Sequence, residues 1–214
     1  MKDIFRHADE SLMVLLLLMS KEFQRLSGQL GFDELNVAAT HDDVGAMYRR
    51  MDVAIRREYR KIARKAYKEA AEQVGGPRED FRSREFVDKV LRGYNPVSDF
   101  RYDREWIRKR DRLFESIVAV ELGNQAMRKN LKRGLDVLAN QVRQYADNVT
   151  VEARIEAFRQ AGVGYVRWVS EKDDKVCAIC RDRDGEVYPI DDVPDIPAHW
   201  HCRCWLEPAD EPED

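Results

Sequence analysis

From Leu12 to Met19 every position is apolar, so the helix predicted around that run, from about Ala8 to Ser27, carries apolar groups on all sides instead of along one stripe. Such a helix is buried, either in the chain's own core or against another subunit. Gly28, Gly31 and Asn36 mark Gly28 to Ala39 as a connection. Thr40 followed by Asp43 resembles a capping box. Met47, Met51, Ile55, Ile62, Ala66 and Ala70 then recur at three- to four-residue steps until Gly75, Gly76 and Pro77 stop the run. A shorter helix over about Arg84 to Arg92 carries Phe86, Val90 and Leu91, and Gly93, Asn95 and Pro96 break it. Asp103 reads as the cap of the next helix, with Trp106, Leu113 and Ile117 on one side. Helical spacing continues through Leu135, Leu138, Val142 and Tyr145, with interruptions expected near Gly123 and Gly134. Asn148 or Thr150 is expected to cap a last helix ending at Ala161, with Gly162 as its stop.

The period then changes from helical to alternating. Tyr165 to Val169 reads as a strand, Glu186 to Ile190 as a second one entered through the Asp184–Gly185 turn, and Cys202 to Leu206 as a third. Three short strands bury too little apolar area to hold together without a staple. The expected fold is therefore mainly α, with long helices and a small C-terminal zinc-stapled antiparallel β module, an α+β chain. The expected divisions are a helical body over 1–161, a zinc-binding module over 162–208 and an acidic tail over 209–214. The body itself divides into an apolar helix and connector (1–35), a long basic helix (36–75) and further helices (78–161).

Composition agrees with long solvated helices: 36% of the residues are charged, with only 11 Gly and 7 Pro. The apolar run is too short to span a bilayer, and Asp9 and Glu10 stand where a signal peptide would need basic residues, so the chain is expected to stay in the cytoplasm of the cell that makes it. The net charge of -3 conceals an asymmetry. Nine basic residues face Asp52 and Glu58 between Arg49 and Lys68, whereas five basic residues face fourteen acidic ones from Glu171 onward. Arg57, Lys61, Arg64, Lys65 and Lys68 share one side of the long helix. They are either a solvated face or a contact for DNA phosphates or an acidic protein surface, and the interleaved Tyr48, Tyr59 and Tyr67 fit helix packing as readily as base stacking. Residues 1–75 are expected to be the docking region, with the C-terminal module as a rigid cap remote from it.

All four cysteines lie between positions 177 and 204. The two-residue gap between Cys177 and Cys180 lets one tight turn aim both sulfurs at an ion, and in Cys202–Arg203–Cys204 an extended backbone puts both thiols on one face. With His199 and His201, six candidates compete for the four positions of a structural zinc ion. His201 otherwise reads as an exposed strand residue opposite the thiols. Arg203 is either a surface residue or a donor that fixes carboxylates or loop carbonyls around the site, and Asp173 and Asp184 read as turn and cap residues. No pair of carboxylates has a spacing that demands acid–base catalysis.

Trp168 through Asp173, Cys177–Ala178–Ile179–Cys180, Asp184–Gly185 and His199–Trp200–His201–Cys202–Arg203–Cys204 together resemble the C-terminal signature of the phage Mu F-like minor head proteins, also called phage head morphogenesis proteins. That pattern has a tryptophan-containing strand, an Asp four residues before C-x-x-C, a D-G turn and a closing H-P-x-C-R-C. Glu152, Ala153, Arg154 and Ala157 to Val163 resemble its preceding helix, so the likeness covers about residues 150–206. Trp200 departs from the pattern's proline, and His201 is an added imidazole; by position His199 is the equivalent histidine. The resemblance implies a structural, non-enzymatic component of the virion, assembled in the bacterial cytoplasm, that meets portal or capsid proteins and packaged DNA; homo- or hetero-oligomers through residues 1–75 are expected from the apolar helix and the basic face, not from the resemblance. A zinc-containing nucleic-acid-binding adaptor and a metal-dependent hydrolase or nuclease remain the alternatives.

Overall fold

In the computed structural model, residues 4–30, 35–77, 81–93, 101–120, 124–171 and 175–212 are described. The elements are α1 (Arg6–Gln29), α2 (Val37–Val74), α3 (Ser83–Arg92), α4 (Tyr102–Val118), α5 (Asn124–Gln160), β1 (Tyr165–Val169), α6 (Ala178–Arg183), β2 (Val187–Pro189) and β3 (Trp205–Ala209). The fold is the mainly helical one expected, with a three-stranded antiparallel sheet of order β2-β1-β3 at its C-terminal end.

A seam between α2 and α5 organises the helices. Ile55, Tyr59, Ile62, Ala66 and Ala70 on α2, and Leu138, Val142, Tyr145, Val149 and Phe158 on α5, are buried at helical spacing. The Tyr59 hydroxyl donates to the Val142 carbonyl at 2.7 Å, and Arg154 donates to Gln73 at 3.0 Å. Farther along, a Cβ placed on Gly76 would come within 2.8 Å of the Ala161 Cβ. Both partners advance together through these three contacts, so the two helices run parallel. Tyr48, Tyr59 and Tyr67 are all buried in this body, which assigns them to packing and removes them as stacking platforms for bases.

Local chemistry moves several of the expected boundaries. α2 begins at Val37 because Asn36, read as part of the connection, is its cap: the Ala39 N–H donates to Asn36 Oδ1 at 3.0 Å, and Thr40 is buried inside the first turn. α4 begins at Tyr102, so Asp103 lies in its first turn instead of capping it. α5 runs through Gly134 without a break. A Cβ there would lie 2.8 Å from Leu113 Cδ1, so this glycine permits close approach of α4 and does not interrupt the helix. Gly123 lies outside the described residues. Neither Asn148 nor Thr150 caps a new helix, since both sit within α5 and the Thr150 hydroxyl donates back to the Ala146 carbonyl. The stop at Gly162 holds: with φ at 75°, its N–H donates to the Arg159 carbonyl while that of Val163 reaches the Phe158 carbonyl.

α1 buries Ala8, Leu12, Leu15, Met19, Phe23 and Leu26 as one stripe against α2 and α5. Its other side remains in solvent, with Met13 64% and Leu17 63% exposed and Val14 beside them. The third strand is Trp205–Ala209, later than expected, because Trp205 and Leu206 pair with Val169 and Trp168 while the cysteines precede the ladder. Ala209, expected to begin the acidic tail, therefore belongs to the sheet, paired with Tyr165. Val166, Trp168 and Leu206 join the same buried cluster as the helices.

Two polar nodes fasten α4. Arg56 on α2 meets Asp52, Asp88 on α3 and Asp103 on α4, and its guanidinium lies over the Tyr102 ring. Glu105, with a side chain 3% exposed, accepts from Gln141 at 2.8 Å and lies near Arg108. Burial, the largest influence, raises the Glu105 carboxyl above its ordinary 4.5 against the lowering pull of Lys109 and Arg108. A carboxyl raised on folding contributes stability below its unfolded value and loses that contribution as pH climbs through the raised one. Glu105→Gln should therefore unfold at a higher urea concentration than the parent at pH 8, with the gap closing toward pH 4.5. Arg56→Ala leaves three carboxylates without their cation and should cost about 2 kcal/mol in the same measurement, less than a fully buried pair because the carboxylates are partly exposed.

Candidate metal centre

The first half of the cluster forms where a helix starts. Cys177 is the cap of α6, its sulfur accepting the Cys180 N–H at 3.4 Å, so the C-x-x-C spacing carries one sulfur at the cap and the other one turn later. The second half arrives on the approach to β3, where Cys202 and Cys204 are buried and Arg203 between them is exposed. The alternation expected of an extended chain is present although the segment is not paired in the sheet. Trp168, fully buried on β1 beneath the Arg183 guanidinium, fixes the sheet beside α6, and the Asp184–Gly185 turn returns the chain, with Asp184 accepting the Ser170 N–H at 2.8 Å.

Five of the six candidate ligands come together. Cys177, Cys180 and His199 form one group and Cys180, Cys202 and Cys204 another, with the ligand atoms of each group within 4.8 Å of one another. The Cys180 and Cys202 sulfurs are 3.8 Å apart. A tetrahedral zinc with bonds of about 2.3 Å has sulfurs about 3.8 Å apart, so this edge suits such an ion without rearrangement. His199 Nε2 lies 3.1 Å from the Cys180 sulfur, and its Nδ1 faces the Trp200 carbonyl at 2.8 Å, which orients the ring toward the thiols.

Crowding sets the charge of the thiols. The hydrogen bond from Cys204 is the largest influence on Cys202 and lowers its thiol to about 5, while burial first of all pushes Cys180 up to about 12. Cys204 is raised as well, chiefly because its proton is held by Cys202. Burial and mutual contact thus work against ionising the sulfurs together, and a cation among them would favour their deprotonation.

His201 does not join the cluster. It is exposed at a φ of 58°, in a turn rather than on a strand, and its N–H donates to Gln144 Oε1 on α5 at 3.0 Å. Arg203 borders two cavities next to the thiols, and Asp173 lies outside the described residues. Sequence reasoning missed Gln144 and also Asp147, which lines the cavity beside Cys202 and Arg203. Their signal was a set of polar residues, Gln141, Gln144 and Asn148, recurring among the apolar positions of α5, and all three are buried. Nor is the cluster remote from the N-terminal helix: Phe5 and Asp9 line a cavity of about 300 Å³ together with His201, Cys202 and Arg203.

The five basic residues of α2 are exposed as expected, but their charges are largely answered on the spot. Arg57 and Lys61 both meet the buried Glu58, Lys65 meets Glu10, and Arg64 donates to Ser83. Among the described residues Lys68 makes no such contact.

No curated protein and no solved structure matches the chain. A family model does, and it reaches well upstream of the cysteines, to include the second half of α4 and all of α5. Residues 111–207, the C-terminal region that carries the sulfur cluster, match a family described as Phage Mu protein F like protein.

Proposed function

We propose that the chain is a minor head component of a phage, a structural protein that acts in head morphogenesis through contacts with portal or capsid proteins, and that its C-terminal module is held by one structural zinc ion. The observation carrying this reading is the coincidence of the Phage Mu protein F like region with five convergent ligand residues. Four of Cys177, Cys180, His199, Cys202 and Cys204 would hold the ion, and an ion so held cross-links α6 to the approach to β3. Five donors for four positions leave no coordination place for water, which argues against the hydrolase alternative. In this reading the functional divisions are the body at 1–161, the module at 162–208 and the tail at 209–214, and the particle interior is where the protein resides.

The exposed apolar group on α1 is the proposed docking point on the capsid or portal side. Because α1 also buries a stripe against α2 and α5, its removal would unfold the body, so the informative variants are Met13→Glu and Leu17→Glu. These should abolish incorporation into particles while thermal stability is retained, as measured by particle purification and a melting curve. Normal incorporation of both would show that docking lies elsewhere.

The purified protein should carry about one equivalent of zinc by elemental analysis. Cys180→Ser should lose it and loosen residues 175–204 in hydrogen exchange while amides of α2 and α5 stay protected. His199→Ala should weaken zinc binding at least about ten-fold, whether the ring is a ligand or supports Cys180. His201→Gly should keep the metal and stabilise the fold by about 1 kcal/mol, since it relieves a left-handed backbone. A metal-free protein with an unchanged melt after Cys180→Ser would defeat the zinc reading.

A further inference from the structure

The α2 residues expected to meet DNA are mostly matched by carboxylates, but a different set of cations is not. Lys109 and Arg112 on α4 and Arg133 on α5 line one open cavity of about 340 Å³ between the two helices. Tyr48, Leu113, Gly134 and Val137 form its less polar walls, and no carboxylate lines it. Among the described residues, none of the three cations makes an ion pair or side-chain hydrogen bond, although Arg108 and Arg110 on the same helix turn to Glu105 and Asp111. Lys109 is half-buried, and burial together with Arg108 and Arg112 lowers its pKa, against the pull of Glu105. Three like charges gathered around one cleft repel each other, an arrangement that an anion would relieve.

We infer that the cleft between α4 and α5 binds phosphate groups of a nucleic-acid backbone through Lys109, Arg112 and Arg133. The backbone of a polymer fits better than an isolated anion because a further cation lies next to the cleft: Lys129, one turn before Arg133 on α5, is exposed and does not line the cavity itself. Two guanidinium groups suit paired hydrogen bonds to phosphate oxygens, and Lys109 supplies a point charge at the floor. Such contacts are independent of base sequence. The inference goes beyond the assembly reading and needs neither the metal nor a capsid partner.

The test uses the full-length purified protein and a duplex DNA oligonucleotide of mixed sequence, with binding followed by fluorescence anisotropy over a range of salt concentrations. Each phosphate neutralised contributes about -0.9 to the slope of log affinity against log salt, so loss of three contacts should flatten the slope by about 2 to 3. Lys109→Gln/Arg112→Gln/Arg133→Gln should lower affinity at least about ten-fold at low salt with that flattening. Val137→Glu, at an exposed wall position, puts a carboxylate in the cleft without touching a cation and should weaken binding in the same direction. Arg57→Gln/Lys61→Gln/Lys65→Gln on α2 should retain most of the affinity. Inorganic phosphate is the second arm, read by thermal shift. Stabilisation by phosphate with no DNA binding would overturn the inference in favour of a small-anion pocket. So would unaltered DNA binding by the cleft variants, or loss of binding confined to the α2 variant.

Discussion

The parallel seam between α2 and α5 is the constraint from which the remaining geometry follows. It seats α1 against both helices, gives α4 a surface to approach at Gly134, and ends where Gly76 meets Ala161. There the turn at Gly162 redirects the chain into β1, so the sheet begins at a position dictated by helix packing. α5 then serves a second purpose. Its Gln144 holds the backbone of His201, and through that turn it aligns the segment that delivers Cys202 and Cys204 to Cys180. The two halves of the sulfur cluster are thus brought together by two independent supports, the α6 cap on one side and the long helix on the other.

Much of this was legible because the responsible forces are local. The apolar spacing of α2, the glycine stop at its end, the alternation of β1 and the C-x-x-C spacing each act within a few residues, and the structure has them where the pattern places them. Apart from the helix starts at Asn36 and Asp103, the failures share a cause: they concern residues whose role is decided by a distant neighbour. Gly134 reads as a helix breaker until Leu113 is found against it, and Thr150 reads as a cap until the helix around it proves to be buried. Between the two histidines the family pattern already points to His199, and the hydrogen bond from the His201 backbone to Gln144, fifty-seven positions away, shows how the other is held out of the cluster.

Charge patterning has the same limit. A run of nine basic residues on α2 suggests a surface for polyanions, yet a single buried carboxylate, Glu58, already engages two of them, and Glu10 from another helix engages a third. On α4 the basic and acidic residues look mixed in the sequence, but helical geometry turns Glu105 into the core and leaves Lys109 and Arg112 facing the cleft. What matters for an external partner is the charge left unmatched after folding, not the count along a segment.

Because α2 and α5 are parallel, the segment holding α3 and α4 must be made before the two can meet. Synthesis proceeds at about 5–20 residues per second, so α5 starts to emerge several seconds after α2 is complete. During that interval α1 and α2 can pair as a hairpin, but the side of α2 that will cover α5, including Tyr59, Ile62 and Ala66, has nothing to cover it. Until α5 follows, the nascent chain therefore exposes a long apolar side of α2, the kind of transient surface that promotes association with other chains.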